Sequence, residues 1–454
     1  MNFLHAQSRV SGALLLIFGL IFFLQTEVHA QQVKALVGGT LIDGYGSTPI
    51  QNSVIIIEGE RITEVGQIGT VTIPDNAEII STHGKSVLPG LWDMHVHLML
   101  TGHPDYSHWH PTYIDEFESV IMPATAHQLL LAGVTSARDL GAPLATSLNV
   151  RDAINRGDIP GPTMYMAGPF LQHEPYPNTE DYRWGVDSPE DARQKVRTLA
   201  EAGVDFIKLL DQDDMTMEEL EAVVDESHKH GLKVVAHSHR PEEIRRGLIA
   251  GVDNFEHTGL ATAPEYPEDV MEMLKERTAK MNLGPLYWTP TISVLYNYEY
   301  MRDHPLFLGE NSWKLDLPDH IVEDIEESLE HPDRFPYFQL SPMRSTTLQR
   351  KFDQLREAGV VMMIGTDAGV PMFFHSQATW NEFDVWVNHL GFDAMDAIRS
   401  ATYWPARFME VLDDYGTIEQ GKYADIIAVE GDVLRHISLL RDVDIVIKHG
   451  QRHK

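Results

Sequence analysis

No cysteine occurs in the 454 residues of this chain. Disulfides are therefore excluded, and an exported form must rely on its core alone. Acylation on a cysteine, as in a lipoprotein, is excluded too, and any metal must be held by nitrogen and oxygen rather than thiolate. Basic residues are scarce: 35 Lys and Arg stand against 67 Asp and Glu, a formal net charge of -32. Nothing in that balance could neutralise phosphates in bulk, which excludes nucleic acid as a partner, and the acidity reads as a solubility feature. No G-x-G-x-x-G follows the first strand of the main region, which argues against a dinucleotide fold. Hydrophobic residues make up 43% of the chain, enough for a sizeable core.

One long apolar run is present. Gly12 to Leu24 follows the weakly positive start at Arg9 and precedes Val28-His29-Ala30, small-residue spacing suited to a signal peptidase. The run is too short to span a bilayer comfortably. The expectation is a signal peptide over residues 1–30, cleaved after Ala30, with export to the periplasm or beyond and no stable membrane span afterwards. The competing reading is an uncleaved anchor.

Past that segment, β-branched runs at Lys34 to Ile42, Ser53 to Glu58 and Arg61 to Val65 are punctuated by glycines. The same texture returns at Ala424 to Glu430 and Val443 to Lys448. The two ends (31–88 and 414–454) read as halves of one small, sandwich-like β-domain around a main domain at 89–413. In the main region Ala-Gly-Val recurs at Ala132, Ala202, Ala250 and Ala358, each time between a helical stretch and an apolar strand. Glycine there suits the left-handed turn past a helix end, and the repeat is the grammar of a parallel βα fold. Thr216 with Glu219 forms a capping box ahead of one helix. Strand candidates at Val87–Met94, Val134–Arg138, Thr163–Ala167, Val204–Leu210, Lys233–Ala236, Val252–Glu256, Leu286–Thr291 and Val360–Gly365 favour an α/β (β/α)8 TIM barrel, with an open doubly wound sheet as the alternative. Tyr296 to Phe338, rich in aromatic, acidic and proline residues, reads as an insertion at the active face.

Chemistry-bearing residues gather at the predicted strand ends: His95 and His97, Lys208, His237, His257 and Asp367. Strand periodicity puts His95 and His97 on one face. Lys208 sits in Asp205-Phe206-Ile207-Lys208-Leu209-Leu210, where a buried ammonium is costly unless paired or neutralised. A lysine amine that takes up carbon dioxide becomes an anionic ligand able to bridge two metals. Four imidazoles, that lysine and Asp367 suit a two-metal hydrolytic site, in which Asp367 binds one metal and takes a proton from a bridging water. His239 shares the strand face of His237, so spacing leaves the ligand open between them, with His237 nearer the apolar strand. The pair His108/His110 reads as a polar loop, and His228/His230 as a helix end without chemistry.

Four blocks, Gly90-Leu91-Trp92-Asp93-Met94-His95-Val96-His97, Phe206-Ile207-Lys208, Ala236-His237 through Phe255-Glu256-His257, and Gly365-Thr366-Asp367-Ala368-Gly369, resemble the amidohydrolase superfamily. Leu131 to Gly141, His375, Glu382 and the tail Gly416 to Asp425 extend the resemblance toward its imidazolonepropionase-like and Xaa-Pro-dipeptidase-like branch. The resemblance implies that His95, His97 and Asp367 hold one metal and His237 and His257 a second, with carboxylated Lys208 bridging them. It implies two divalent ions, zinc being the best fit to nitrogen and oxygen donors. The implied reaction is hydrolysis of a C–N bond in a small amide or short peptide by a metal-bridged hydroxide, with Asp367 as general base and acid. His375, His173, Arg138 and His239 are candidates for contacting substrate. Two loops depart from the branch, Leu210-Asp211-Gln212-Asp213-Asp214 and Phe170-Leu171-Gln172-His173-Glu174-Pro175, and both would face substrate. The alternatives are a one-metal cyclic-amide hydrolase or deaminase with unmodified Lys208, and an exported binding protein with a vestigial site. Oligomeric state, homo-oligomer included, is left open.

Overall fold

A computed structural model describes residues 33–258, 262–303 and 311–454, with the side chains of 300–303 excepted. The apolar segment of residues 1–30 lies outside the described residues. Among the described residues no helix is long and apolar enough to cross a membrane.

The two ends of the described chain do come together. Arg61–Gln67, Ser53–Glu58, Val33–Val37 and Glu78–Ser81 form one sheet in that order. A second sheet runs Gln451–Arg452, Val443–Lys448, Ile426–Glu430, Lys85–Pro89, Thr40–Leu41. Leu36, Ile55 and Ile57 of the first pack with Val87, Ile426, Ala428 and Ile447 of the second in a common apolar cluster. Burying side chains of this size stabilises by about 1.5–3 kcal/mol each, before chain entropy opposes it.

The main region has a TIM-barrel-like α/β fold. Leu91–Val96, Val134–Asp139 and Thr163–Met166 form one parallel sheet. A second runs Arg183–Gly185, Phe170–Gln172, Phe206–Leu209, Lys233–His237, Asn254–Glu256, Tyr287–Thr289, Val361–Met362, parallel throughout. The sheets meet along two seams. At one, the Asp205 N–H donates to the Met166 carbonyl at 2.9 Å. At the other, Met94 N–H donates to Ile364 at 3.0 Å, and Asp367 N–H to His95 at 2.7 Å.

The glycine punctuation behaves as its chemistry requires. Gly133, Gly203, Gly251 and Gly359 each follow a helix with φ between 74° and 94°, the left-handed conformation that lets the chain turn into the next strand. Thr216 Oγ1 accepts from Glu219 N–H while the Glu219 carboxylate accepts from Thr216 N–H, closing the capping box of helix Met217–Lys229. Such a cap contributes about 1 kcal/mol.

Two expectations are corrected. The run Val87 to Met94 is not one strand: Lys85–Pro89 belongs to the end sheet and Leu91–Val96 to the parallel sheet. The chain changes sheets at Gly90, where an added Cβ would lie 2.1 Å from Thr135 Oγ1, so only glycine fits. His108 and His110 are not in a loop but in helix Tyr106–Tyr113, capped by the Asp105 carboxylate.

Candidate active site

The C-terminal ends of several parallel strands converge on one cavity. Its wall includes His97, His237, His239, His257 and Asp367. His95 and Lys208 lie beneath, each fully buried. Ring centroids separate His237 from His257 by 4.4 Å, His239 from His257 by 4.6 Å and His95 from His257 by 4.7 Å.

Asp367 links the two ends of the barrel region. Its Oδ1 stands 3.3 Å from His95 Nε2 and 3.2 Å from His97 Nε2, and its Oδ2 stands 3.8 Å from His257 Nδ1. Donors held tetrahedrally at about 2.0–2.1 Å from a zinc ion stand about 3.3 Å apart, which each of the two imidazole–Asp367 separations matches. His95, His257 and Asp367 form one group whose ligand atoms lie within 4.8 Å of one another, and His237, His239 and His257 form another. Gly365 makes this approach possible: a Cβ there would lie 2.9 Å from His95 N and 2.4 Å from Thr289 Cγ2. Asp367 itself adopts φ 65°, His257 φ 73° and Thr291 φ 48°. Left-handed backbone at non-glycine residues costs about 1–3 kcal/mol each and collects at sites where geometry outranks stability.

The orphaned atoms test whether metal suits these residues. His95 Nε2, Lys208 Nζ, His237 Nδ1, His239 Nδ1 and His257 Nε2 are buried without hydrogen-bond partners. Unsatisfied polar atoms in that number are costly in a folded core; each of the four imidazole nitrogens can present a lone pair to a cation, and the Lys208 amine can do so once it is neutral. Their ring partners sit on the opposite side: His95 Nδ1 bonds Glu256 Oε2 at 2.8 Å, and His257 Nδ1 bonds Thr291 Oγ1 at 2.8 Å. Such outer bonds aim the remaining nitrogen and set its tautomer. Burial pushes the imidazoles of His237 and His257 well below their ordinary pKa and that of His239 to about 3, keeping them neutral. Burial lowers the Lys208 ammonium to about 8. Burial works against the Asp367 carboxylate, but His95, His97 and His257 outweigh it and hold the group well below the usual range. The donor set therefore fits a divalent metal centre.

The other predicted contacts divide. His239 lines the cavity. Arg138 does not: it is fully buried, donating to the Met94 carbonyl at 2.8 Å and to Glu256 Oε1 at 2.7 Å. It holds the carboxylate that holds His95, and reaches no substrate from there. His375 is also buried, its Nε2 3.2 Å from the His97 carbonyl, behind the ligand rather than in front of it. His173 is about half exposed, 3.7 Å from Glu219 and off the cavity wall. These residues were assigned from chain position after a strand, which says nothing about which way a long side chain turns.

Glu256 and Thr291 escaped the sequence reading. A carboxylate in Asn254-Phe255-Glu256, a strand otherwise built for burial, was the available signal. Glu382, read only as part of the resemblance, accepts from Ile292 N–H, Ser293 N–H and Trp386 Nε1–H and thereby fixes the loop carrying Thr291. Outside the cavity, His103, His108 and Asp324 also cluster. There His103 Nδ1 accepts from Asp105 N–H, and Asp324 receives His108 and Tyr113, so the group is satisfied internally.

The insertion and its neighbours supply the rest of the cavity. Tyr298 and Tyr337 face Phe170, Tyr182, Leu210 and Tyr106 across a space of 130 Å³.

The amidohydrolase family pattern matches residues 86–452. The chain is similar to a Xaa-Pro dipeptidase whose crystal structure holds methionine in its active site: 27% identity, 93% of this chain and 100% of the other, TM-score 0.71. It is similar to a protein from Bifidobacterium longum provisionally named a prolidase, at 27% identity, 93% and 95% coverage and TM-score 0.71. Phenylurea hydrolase B shares the fold at 19% identity, 93% and 96% coverage and TM-score 0.73. No curated protein matches the chain.

Proposed function

The chain belongs to the amidohydrolase family, in its Xaa-Pro-dipeptidase-like branch, and is a metal-dependent hydrolase of carbon–nitrogen bonds; within that class we propose an exported, two-metal enzyme acting on an amide or dipeptide-like substrate. One observation carries the reading: the unpartnered Lys208 amine lies buried among imidazoles and a carboxylate drawn from separate strands. In this reading His95, His97 and Asp367 would hold one ion and His237 and His257 the other, with carboxylated Lys208 as a ligand to both. Zinc is the metal favoured by nitrogen and oxygen donors. Bound there, two such ions would supply an acidified water and a polarised carbonyl.

The chain's own residues do the remainder. The depressed Lys208 pKa keeps part of the amine neutral near pH 7, the form that reacts with carbon dioxide. Glu256 and Thr291 hold His95 and His257 by their inner nitrogens. Asp367 Oδ2, the oxygen not shared with His95 and His97, takes the proton that the attacking water loses as its oxygen bonds to the carbonyl carbon, and gives it to the nitrogen that leaves as the C–N bond breaks. His239 contacts substrate beside His237. Phe170, Tyr182 and Tyr298 line the cavity and limit the access of water to the reacting bond. A closed eight-stranded barrel over 89–413, with a separate β-domain from 31–88 and 414–454, is the architecture we assign to this chemistry.

Metal analysis of protein produced with bicarbonate, alongside Lys208→Ala, tests the proposal. The expected result is about two ions per chain, fewer in the variant, and severe loss of turnover. Equal metal content and equal rate in Lys208→Ala would remove the bridging carbamate.

A further inference from the structure

Two guanidiniums, one on the cavity wall and one behind it, have no carboxylate partner among the described residues. Arg344, on helix Pro336–Ser345, places its guanidinium carbon 5.7 Å from the Tyr337 ring centroid, and Tyr337 lines the cavity. Its Nε and Nη1 are shielded from solvent and make no hydrogen bond. Arg183, itself on the cavity wall, packs over Tyr176 at 4.5 Å, Phe170 at 5.2 Å and Tyr182 at 5.3 Å. Its Nη1 donates to the neutral Gln172 Oε1 at 3.1 Å, and its Nε has no partner. Among the described residues neither arginine is ion-paired, in a chain with 67 acidic residues against 35 basic ones. Arg240 and Arg138, by contrast, meet carboxylates at 2.5 Å and 2.7 Å. A sheltered guanidinium with open N–H groups is costly, and its planar fork matches a carboxylate or phosphate. Among the described residues the one carboxylate on the cavity wall, Asp367, is engaged with His95 and His97.

We propose that Arg344, seconded by Arg183, is a specificity-determining residue that receives an anionic group of the substrate on the insertion side of the cavity. The inference rests on the hydrolase reading above and adds the charge of the substrate and the residue that reads it. The aromatic rings between the arginines and the histidines form the dry passage along which an apolar portion of the substrate lies. Burial holds the Arg344 guanidinium below its ordinary pKa, and no carboxylate counters that effect. An arriving anion therefore meets a cation whose hydrogen bonds are still to be made.

Binding of phenylacetate and of phenylacetamide to the metal-loaded protein, compared by calorimetry in the wild type, Arg344→Gln and Arg344→Lys, tests this. The expected wild-type preference for the carboxylate is about tenfold to a hundredfold, the worth of a charged hydrogen bond. Arg344→Gln should abolish the preference while phenylacetamide affinity stays, and Arg344→Lys should restore part of it. A preference that survives in Arg344→Gln puts the anion on the histidine cluster and overturns the assignment, as does equal binding of both probes by the wild type. Absence of hydrolysis on any amide would count against the proposed function, while these affinities would still decide the role of Arg344.

Discussion

Glu256 Oε2 lies 2.8 Å from His95 Nδ1, and its other oxygen takes a hydrogen bond from Arg138. Burial opposes the Glu256 charge, but Arg138 and His95 outweigh it and hold the carboxyl below its ordinary pKa. Glu256→Gln should therefore do two things. It removes the anion that orients His95, which should lower metal affinity or turnover about 10- to 100-fold. It also strands a buried guanidinium, which should cost about 3–5 kcal/mol of stability. Metal titration and thermal unfolding of the purified variant check both, and a variant with wild-type metal affinity would show that His95 needs no anionic partner.

Thr291→Val separates orientation from charge. It keeps the shape of Thr291 but deletes the hydroxyl that bonds His257 Nδ1 at 2.8 Å. The expected outcome is at least about a tenfold loss of affinity for one ion of the pair with the other retained. Stepwise metal depletion with a chelator would reveal it as a single early phase. Simultaneous loss of both ions would contradict the independent aiming of His257.

Gly365→Ala tests close packing at the seam of the two sheets. The new methyl would meet His95 N at 2.9 Å and Thr289 Cγ2 at 2.4 Å. Overpacking of this kind costs about 1–3 kcal/mol, and the strain falls on the backbone that presents both His95 and Asp367. A lowered Tm together with reduced metal content is expected; an unchanged Tm would mean the seam yields easily.

Reconstitution should depend on pH with a definite sign. Carbamate forms from the neutral amine, and burial lowers Lys208 from the ordinary 10.5 to about 8. Below about pH 8 the neutral fraction grows tenfold per pH unit, and above it the fraction saturates. Recovery of activity in metal-depleted protein, at fixed dissolved carbon dioxide and saturating metal, should therefore accelerate from pH 6 to 8 and level off beyond. A rate that kept climbing to pH 10 would place the amine in solvent.

The histidines and Asp367 were readable because each closes an apolar run, and a parallel α/β sheet leaves little freedom about where such a residue goes. Lys208 was readable for the complementary reason, a charge inside a strand that has no polar face. Arg138 was misread. Its position on Val134–Asp139 is as expected, but its long side chain turns inward to a carboxylate on a strand 118 positions away. His375 and His173 failed similarly, since a residue past a strand end can point behind the site or away from it. Tyr337 and Arg344 reach the cavity from an insertion whose path no periodicity describes. The four blocks are legible because they record local strand ends, whereas the supporting contacts are pairings between distant segments.

The sheet change at Gly90 has a mechanical consequence. Lys85–Pro89 is bonded along its length to Ile426–Glu430, and one residue later the same chain becomes the strand that bears His95 and leads directly into His97. Tension or fraying introduced at the far end of the polypeptide is thus delivered straight to two of the proposed metal ligands. A nick between Gly416 and Asp425 should disarm the enzyme although it touches nothing that handles substrate.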